Sequence, residues 1–185
     1  MFIQTEITPN PASLKFLPGR VVMEKGTADF RSVKEVKNSL LAQNLFKIDG
    51  LEGVFFGSDF ISMTKSESSE WQILKPSILG VIADHYESGA PVMNKVESTE
   101  DEATSVKDSD IVVQIKELLE TRIRPAVAQD GGDITFSDFK DGIVFLRMKG
   151  ACSGCPSSTA TLKQGIETML KHYLPEVQGV ESVMG

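Results

Sequence analysis

Cys152 and Cys155, the only cysteines in the sequence, stand in the segment Gly150-Ala151-Cys152-Ser153-Gly154-Cys155-Pro156. A thiol pair at this spacing suits metal binding or disulfide chemistry. The pair falls between the end of one apolar, strand-like run and the start of a helical one. Pro156 fits a first helical position, where free backbone N–H groups and the positive helix end favour negative charge. The sequence therefore predicts thiolates that form readily. Ser153 and Gly154 are small enough for the backbone to wrap closely around whatever the sulfurs hold. Two thiolates are half of the four ligands that an iron–sulfur cluster or a structural zinc ordinarily takes. The rest of the chain offers only the imidazoles of His85 and His172. A second copy of the chain is the simplest completion, with the centre near the twofold axis of a homodimer. A centre held at an edge by short loops opens when the chains separate, which suits transfer better than storage.

The same pair also marks thiol–disulfide oxidoreductases, where it likewise begins a helix. Two features stand against that alternative. The strands before the pair read as a hairpin rather than a strand–helix–strand unit, and no aromatic residue neighbours the cysteines. From the residues alone, cluster binding, disulfide exchange and structural zinc all stay open. Asp130 and Asp133, around Gly131-Gly132, are read as capping and chain reversal rather than as a carboxylate metal site. His172 and His85 are read as surface or capping residues. Trp71, Phe55, Phe56 and Phe60 are assigned to the core.

The elements that must position the pair follow from apolar periodicity. Ile111, Ile115, Leu118, Leu119 and Ile123 form a helical stripe, with Pro125 as an expected kink or break. Ile134–Phe136 and Ile143–Met148 flank an Asp141-Gly142 turn, a hairpin signature. Leu162, Ile166, Met169, Leu170 and Tyr173 trace another helix, and Val177–Val183 is expected to close the sheet. Before these, Phe2–Ile7 and Leu14–Leu17 read as paired strands, and residues 54–56 and 60–64 as a hairpin. A helix is expected from the Ser32/Glu35 capping box. A second is expected over residues 71–82, interrupted at Pro76.

Between the two groups lies a Ser-, Thr-, Glu- and Asp-rich stretch without apolar period, the composition of a flexible acidic linker. The expected organisation is two small α+β domains, residues 1–89 and 110–185, joined by a linker over 90–109. The formal charge of -7 and pI near 4.9 argue against a nonspecific grip on nucleic acid. No apolar run approaches the length of a membrane span, and the start lacks the pattern of a signal peptide.

The segments GACSGCPSSTATLKQGIETML and IRPAVAQDGGDI resemble the C-terminal domain of NifU-like (Nfu) proteins. TEITPNPASLKFLPG and LFKIDGLEGVFFGSDFISMTK resemble the separate Nfu N-terminal domain. The resemblance implies an iron–sulfur cluster scaffold or carrier, not an enzyme, with Cys152 and Cys155 as ligands. It further implies a four-iron, four-sulfur cluster bridging two chains, an upstream cluster donor and client apoproteins as acceptors. The N-terminal domain would help recognise clients or partners. Because the N-terminal pattern begins close to Met1, a bacterial cytoplasmic protein is expected, or a mitochondrial matrix protein if the chain is a processed eukaryotic form.

Overall fold

The computed structural model describes residues 2–94, 109–153 and 156–183, with only the backbone for 156–158. The chain forms two compact units, residues 1–97 and 98–185, each mixing helix and sheet. The α+β expectation therefore holds for both. Residues 95–108, most of the expected linker, lie outside the described residues.

In the N-terminal unit, β1 (Gln4–Ile7), β2 (Ser13–Leu17), β3 (Ala28–Phe30), β4 (Leu51–Phe56) and β5 (Ile61–Lys65) build one antiparallel sheet in the order β1-β2-β5-β4-β3. Residues 57–60 join β4 to β5, with the Gly57 N–H donating to the Phe60 carbonyl at 2.9 Å. Strand alternation sends Leu14, Phe16, Val54, Phe56, Ile61 and Met63 to one face, which buries them against two helices. The first, α1 (Leu40–Leu45), starts later than the Ser32/Glu35 pattern suggests. Glu35 accepts the Arg31 N–H at 2.7 Å, and only a 3₁₀ turn (Val36–Asn38) follows. The true cap is Ser39, whose hydroxyl accepts the Ala42 N–H at 3.1 Å and donates to the Val92 carbonyl at 2.6 Å. The Asn94 N–H also donates to the Asn38 carbonyl, at 2.8 Å. Val92–Asn94 are thus bonded to the N-terminal unit instead of opening the linker.

The second helix, α2 (Trp71–Ser88), runs unbroken through Pro76, contrary to the expected interruption. Gln72 and Pro76 are both exposed, so the hydrogen bond missing at Pro76 falls on the outer side of the helix rather than on its buried stripe. The buried stripe of α2 is Leu74, Ile78, Ile82 and His85. His85 is accordingly a core-face residue, 4% exposed, and not the surface residue expected.

In the C-terminal unit, β6 (Gly132–Lys140) and β7 (Ile143–Gly150) form the expected hairpin, turning at Asp141 (φ 52°) and Gly142 (φ 79°). Positive φ at both central residues is the type I′ geometry that matches strand twist. The third strand, β8 (Gly179–Val183), pairs with β7 in parallel, after the crossover helix α5 (Pro156–Tyr173). The opening stripe divides into α3 (Asp110–Leu118), a π-helical turn (Leu119–Ile123) and α4 (Arg124–Gln129), with Pro125 inside the first turn of α4. The break expected at Pro125 is thus a wide turn just before it. Ile115, Leu119, Ile123 and Val127 pack with Val144, Leu146 and Met148 of β7 and with Ile166 and Leu170 of α5.

Candidate metal centre

The loop that carries Cys152 begins where the hairpin ends. Gly132 of β6 pairs with Gly150 of β7, and the Ala151 N–H donates to the Gly131 carbonyl at 3.2 Å. Gly150 has φ 65°, a left-handed conformation that turns the chain out of the strand without a Cβ penalty. The Ser153 N–H returns to the Gly150 carbonyl at 3.1 Å, and its hydroxyl donates to the same oxygen at 3.2 Å. From α5, the Thr159 hydroxyl donates to the Cys152 carbonyl at 3.0 Å. These bonds join the loop to the hairpin end and to the first turns of α5.

Within the loop the Cys152 side chain points inward, 5% exposed, and joins the hydrophobic core of the unit. Its seat is the bare backbone of Gly132. A Cβ at Gly132 would lie 2.5 Å from the Cys152 Sγ and 2.8 Å from the Lys149 carbonyl oxygen. Burial first, and then the charges of Asp130 and Asp133, push the Cys152 thiol up to about 12. The expectation of a readily formed thiolate is not met at this residue, because the sulfur lies among apolar side chains rather than at the helix N-terminus. Cys155 and Gly154 lie outside the described residues. Among the described residues no group of three or more His, Cys, Asp and Glu side chains is placed to hold a metal ion.

Asp133, next to the seat, is not a turn residue. It is 3% exposed and forms a two-pronged ion pair with Arg124, Nε to Oδ1 at 2.8 Å and Nη2 to Oδ2 at 2.9 Å. Oδ1 also accepts the Ile134 N–H at 2.8 Å. The remaining Nη1 of Arg124 reaches Glu120 Oε1 at 2.5 Å. A buried carboxylate satisfied in this way ties α4 to the first residues of β6, directly beside the Cys152 seat. Only the four-residue spacing of Glu120 and Arg124 signalled part of this network in the sequence. The partnership with Asp133 crosses from helix to strand. His172 lies late in α5 with its ring 5.0 Å from that of Tyr173, away from the cysteine loop.

Residues 3–89 match the family described as the scaffold protein Nfu/NifU N-terminal domain, and residues 115–181 match the NifU-like domain. NifU-like protein 4, mitochondrial, of Arabidopsis thaliana is 56% identical over 185 residues, covering 98% of this chain and 65% of that protein. The human NFU1 iron-sulfur cluster scaffold homolog, mitochondrial, is 52% identical over 185 residues, covering 100% of this chain and 72% of that protein. The chain thus spans about two thirds of the length of the curated relatives it matches. The solved NifU-like protein of Saccharomyces cerevisiae is 27% identical, with a TM-score of 0.47 over 51% of this chain and 86% of that one. These curated relatives carry mitochondrial names, so the expectation of a bacterial cytoplasmic protein gains nothing from them. With both halves matched and more than half of its residues identical to relatives aligned along its whole length, the chain belongs to the NifU-like Nfu scaffold family.

Proposed function

We propose that this chain is an iron–sulfur cluster scaffold and carrier of the mitochondrial matrix. It holds a four-iron, four-sulfur cluster on Cys152 and Cys155 of two copies, receives that cluster from an upstream donor and passes it to client apoproteins. The cluster is cargo, and the protein is not an enzyme with turnover. Residues 1–89 recognise clients or partners, and residues 110–185 carry the cluster. The observation that carries the reading is the loop itself: a soft sulfur donor on a short segment, seated on Gly132 and joined to the hairpin end and to Thr159 of α5. Such a loop can turn Cys152 outward as a ligand while the hairpin beneath it stays in place. Thiol–disulfide exchange is the alternative reading, and it too requires Cys152 to leave its buried seat before it can react.

Anaerobic reconstitution with iron and sulfide, followed by metal, sulfide and mass determination on one sample, tests the assignment. About four iron and four sulfide per two chains, with a mass that doubles on loading, is the expected outcome. A colourless monomer whose two cysteines close readily into a disulfide overturns it.

A further inference from the structure

Two helical threonines of the C-terminal unit bond back along their own helical run. The Thr121 hydroxyl donates to the Glu117 carbonyl at 2.7 Å, and the Thr168 hydroxyl to the Gln164 carbonyl at 2.9 Å. That four-residue return is the ordinary habit of a threonine in a helix. The Thr159 hydroxyl instead reaches seven residues back and out of α5, to the Cys152 carbonyl at 3.0 Å. The residue it holds is the one whose sulfur lies inward. A Cβ built on Gly132 would meet not only the Cys152 Sγ, at 2.5 Å, but also the Cys152 Cβ, at 3.1 Å. Rotation about the Cα–Cβ bond moves Sγ and leaves that Cβ against the strand. Bringing the sulfur out to solvent therefore takes a movement of the Cys152 main chain. On one side that main chain is fixed through Ala151, 2% exposed and bonded to the Gly131 carbonyl. On the other side Thr159 holds the carbonyl of Cys152 itself.

We propose that Thr159 is a positioning residue for Cys152: its hydroxyl holds the Cys152 main chain with the sulfur on the Gly132 seat, and opening of that bond precedes each outward turn of the sulfur. A neutral hydroxyl–carbonyl bond suits this role. Its net strength is small enough to open locally while the paired strands of the hairpin stay closed. The bond also couples the turn to α5, so the helix that follows the cysteine pair governs when the first cysteine becomes available. The role in cluster loading rests on the proposed carrier function, whereas the hold of Thr159 on Cys152 does not.

The test is alkylation of the cluster-free full chain by iodoacetamide at fixed pH, with tandem mass spectrometry reading the label at Cys152 separately from that at Cys155. Thr159→Val keeps the branched shape and removes the donor, whereas Thr159→Ser keeps the donor. Labelling at Cys152 is expected to be about three- to tenfold faster in Thr159→Val, the span that one lost hydrogen bond supports. In Thr159→Ser it should stay within about twofold of the parent rate, because the hydroxyl is restored. The same rates are measured in urea below the unfolding transition. Local opening gives rates nearly independent of urea, whereas opening of the whole unit makes them climb with the slope of global unfolding. Equal rates in the parent and Thr159→Val overturn the proposal. So does an equal acceleration in Thr159→Ser, or an acceleration that carries the global slope. Since no cluster is present, a negative result leaves the carrier function standing, and failure to load a cluster leaves this result untouched.

Discussion

The Cys152 thiol rests against a strand position that cannot accept even a methyl group, since a Cβ at Gly132 would meet both the sulfur and the Lys149 carbonyl oxygen. The backbone oxygen cannot rotate away, so Gly132→Ala must push the loop off its seat. A loss of about 1–3 kcal/mol in the C-terminal unit is expected from urea unfolding. Cluster content per dimer should fall by more than half in the same variant. His85 gives a second residue-level expectation. Burial lowers its pKa from the ordinary 6.5, so as the pH falls the unfolded chain takes up this proton before the folded one. Its neutral form therefore supports the N-terminal unit fully above that pH, and the support is lost progressively below it. Thermal melts at pH 7.5 and 5.5 should show this loss, and His85→Leu should flatten the difference. The apolar stripe read from the sequence stops at Ile82, and His85 falls three residues further along it. Its residue type, not its spacing, led to the surface assignment.

Among the elements, α4 and β6 are joined by the Arg124–Asp133 ion pair, whose carboxylate lies inside the unit. Arg124→Met would leave Asp133 buried without its cation, a change worth about 3–5 kcal/mol for fully enclosed pairs. The Arg124 side chain keeps 27% exposure, which puts the expected loss at the lower end. Chemical denaturation measures it, and Arg124→Met combined with Asp133→Leu should recover much of the stability. Recovery is expected because apolar replacement of both partners removes the orphaned charge. The hairpins and the long helices were legible in residue order, since alternation in Val144, Leu146 and Met148 and the stripe in α5 are local signals. β3 was not, because a three-residue strand with one buried side chain, Phe30, has no period to detect. The parallel pairing of β8 with β7 and the helix-to-strand reach of Arg124 depend on contacts distant in sequence. The thiol pair itself was evident from spacing, but the burial of Cys152 was not, because the seat at Gly132 belongs to another strand.

For the whole molecule, each unit closes its own core from its own segments: the sheet with α1 and α2 in one, and the smaller sheet with α3, α4 and α5 in the other. Both cores are closed by apolar side chains, most of them well away in sequence from the cysteine loop. Cys152→Ser/Cys155→Ser should therefore keep the far-ultraviolet circular dichroism of the parent chain while losing both the brown colour and the loading-dependent doubling of mass. Collapse of that spectrum would make the pair a structural element instead. Oxidants and alkylating agents attack sulfur that is exposed and ionised, and Cys152 is buried and held toward the thiol form. Alkylation by iodoacetamide should accordingly be slower at Cys152 than at an exposed thiol, and faster once the loop leaves its Gly132 seat.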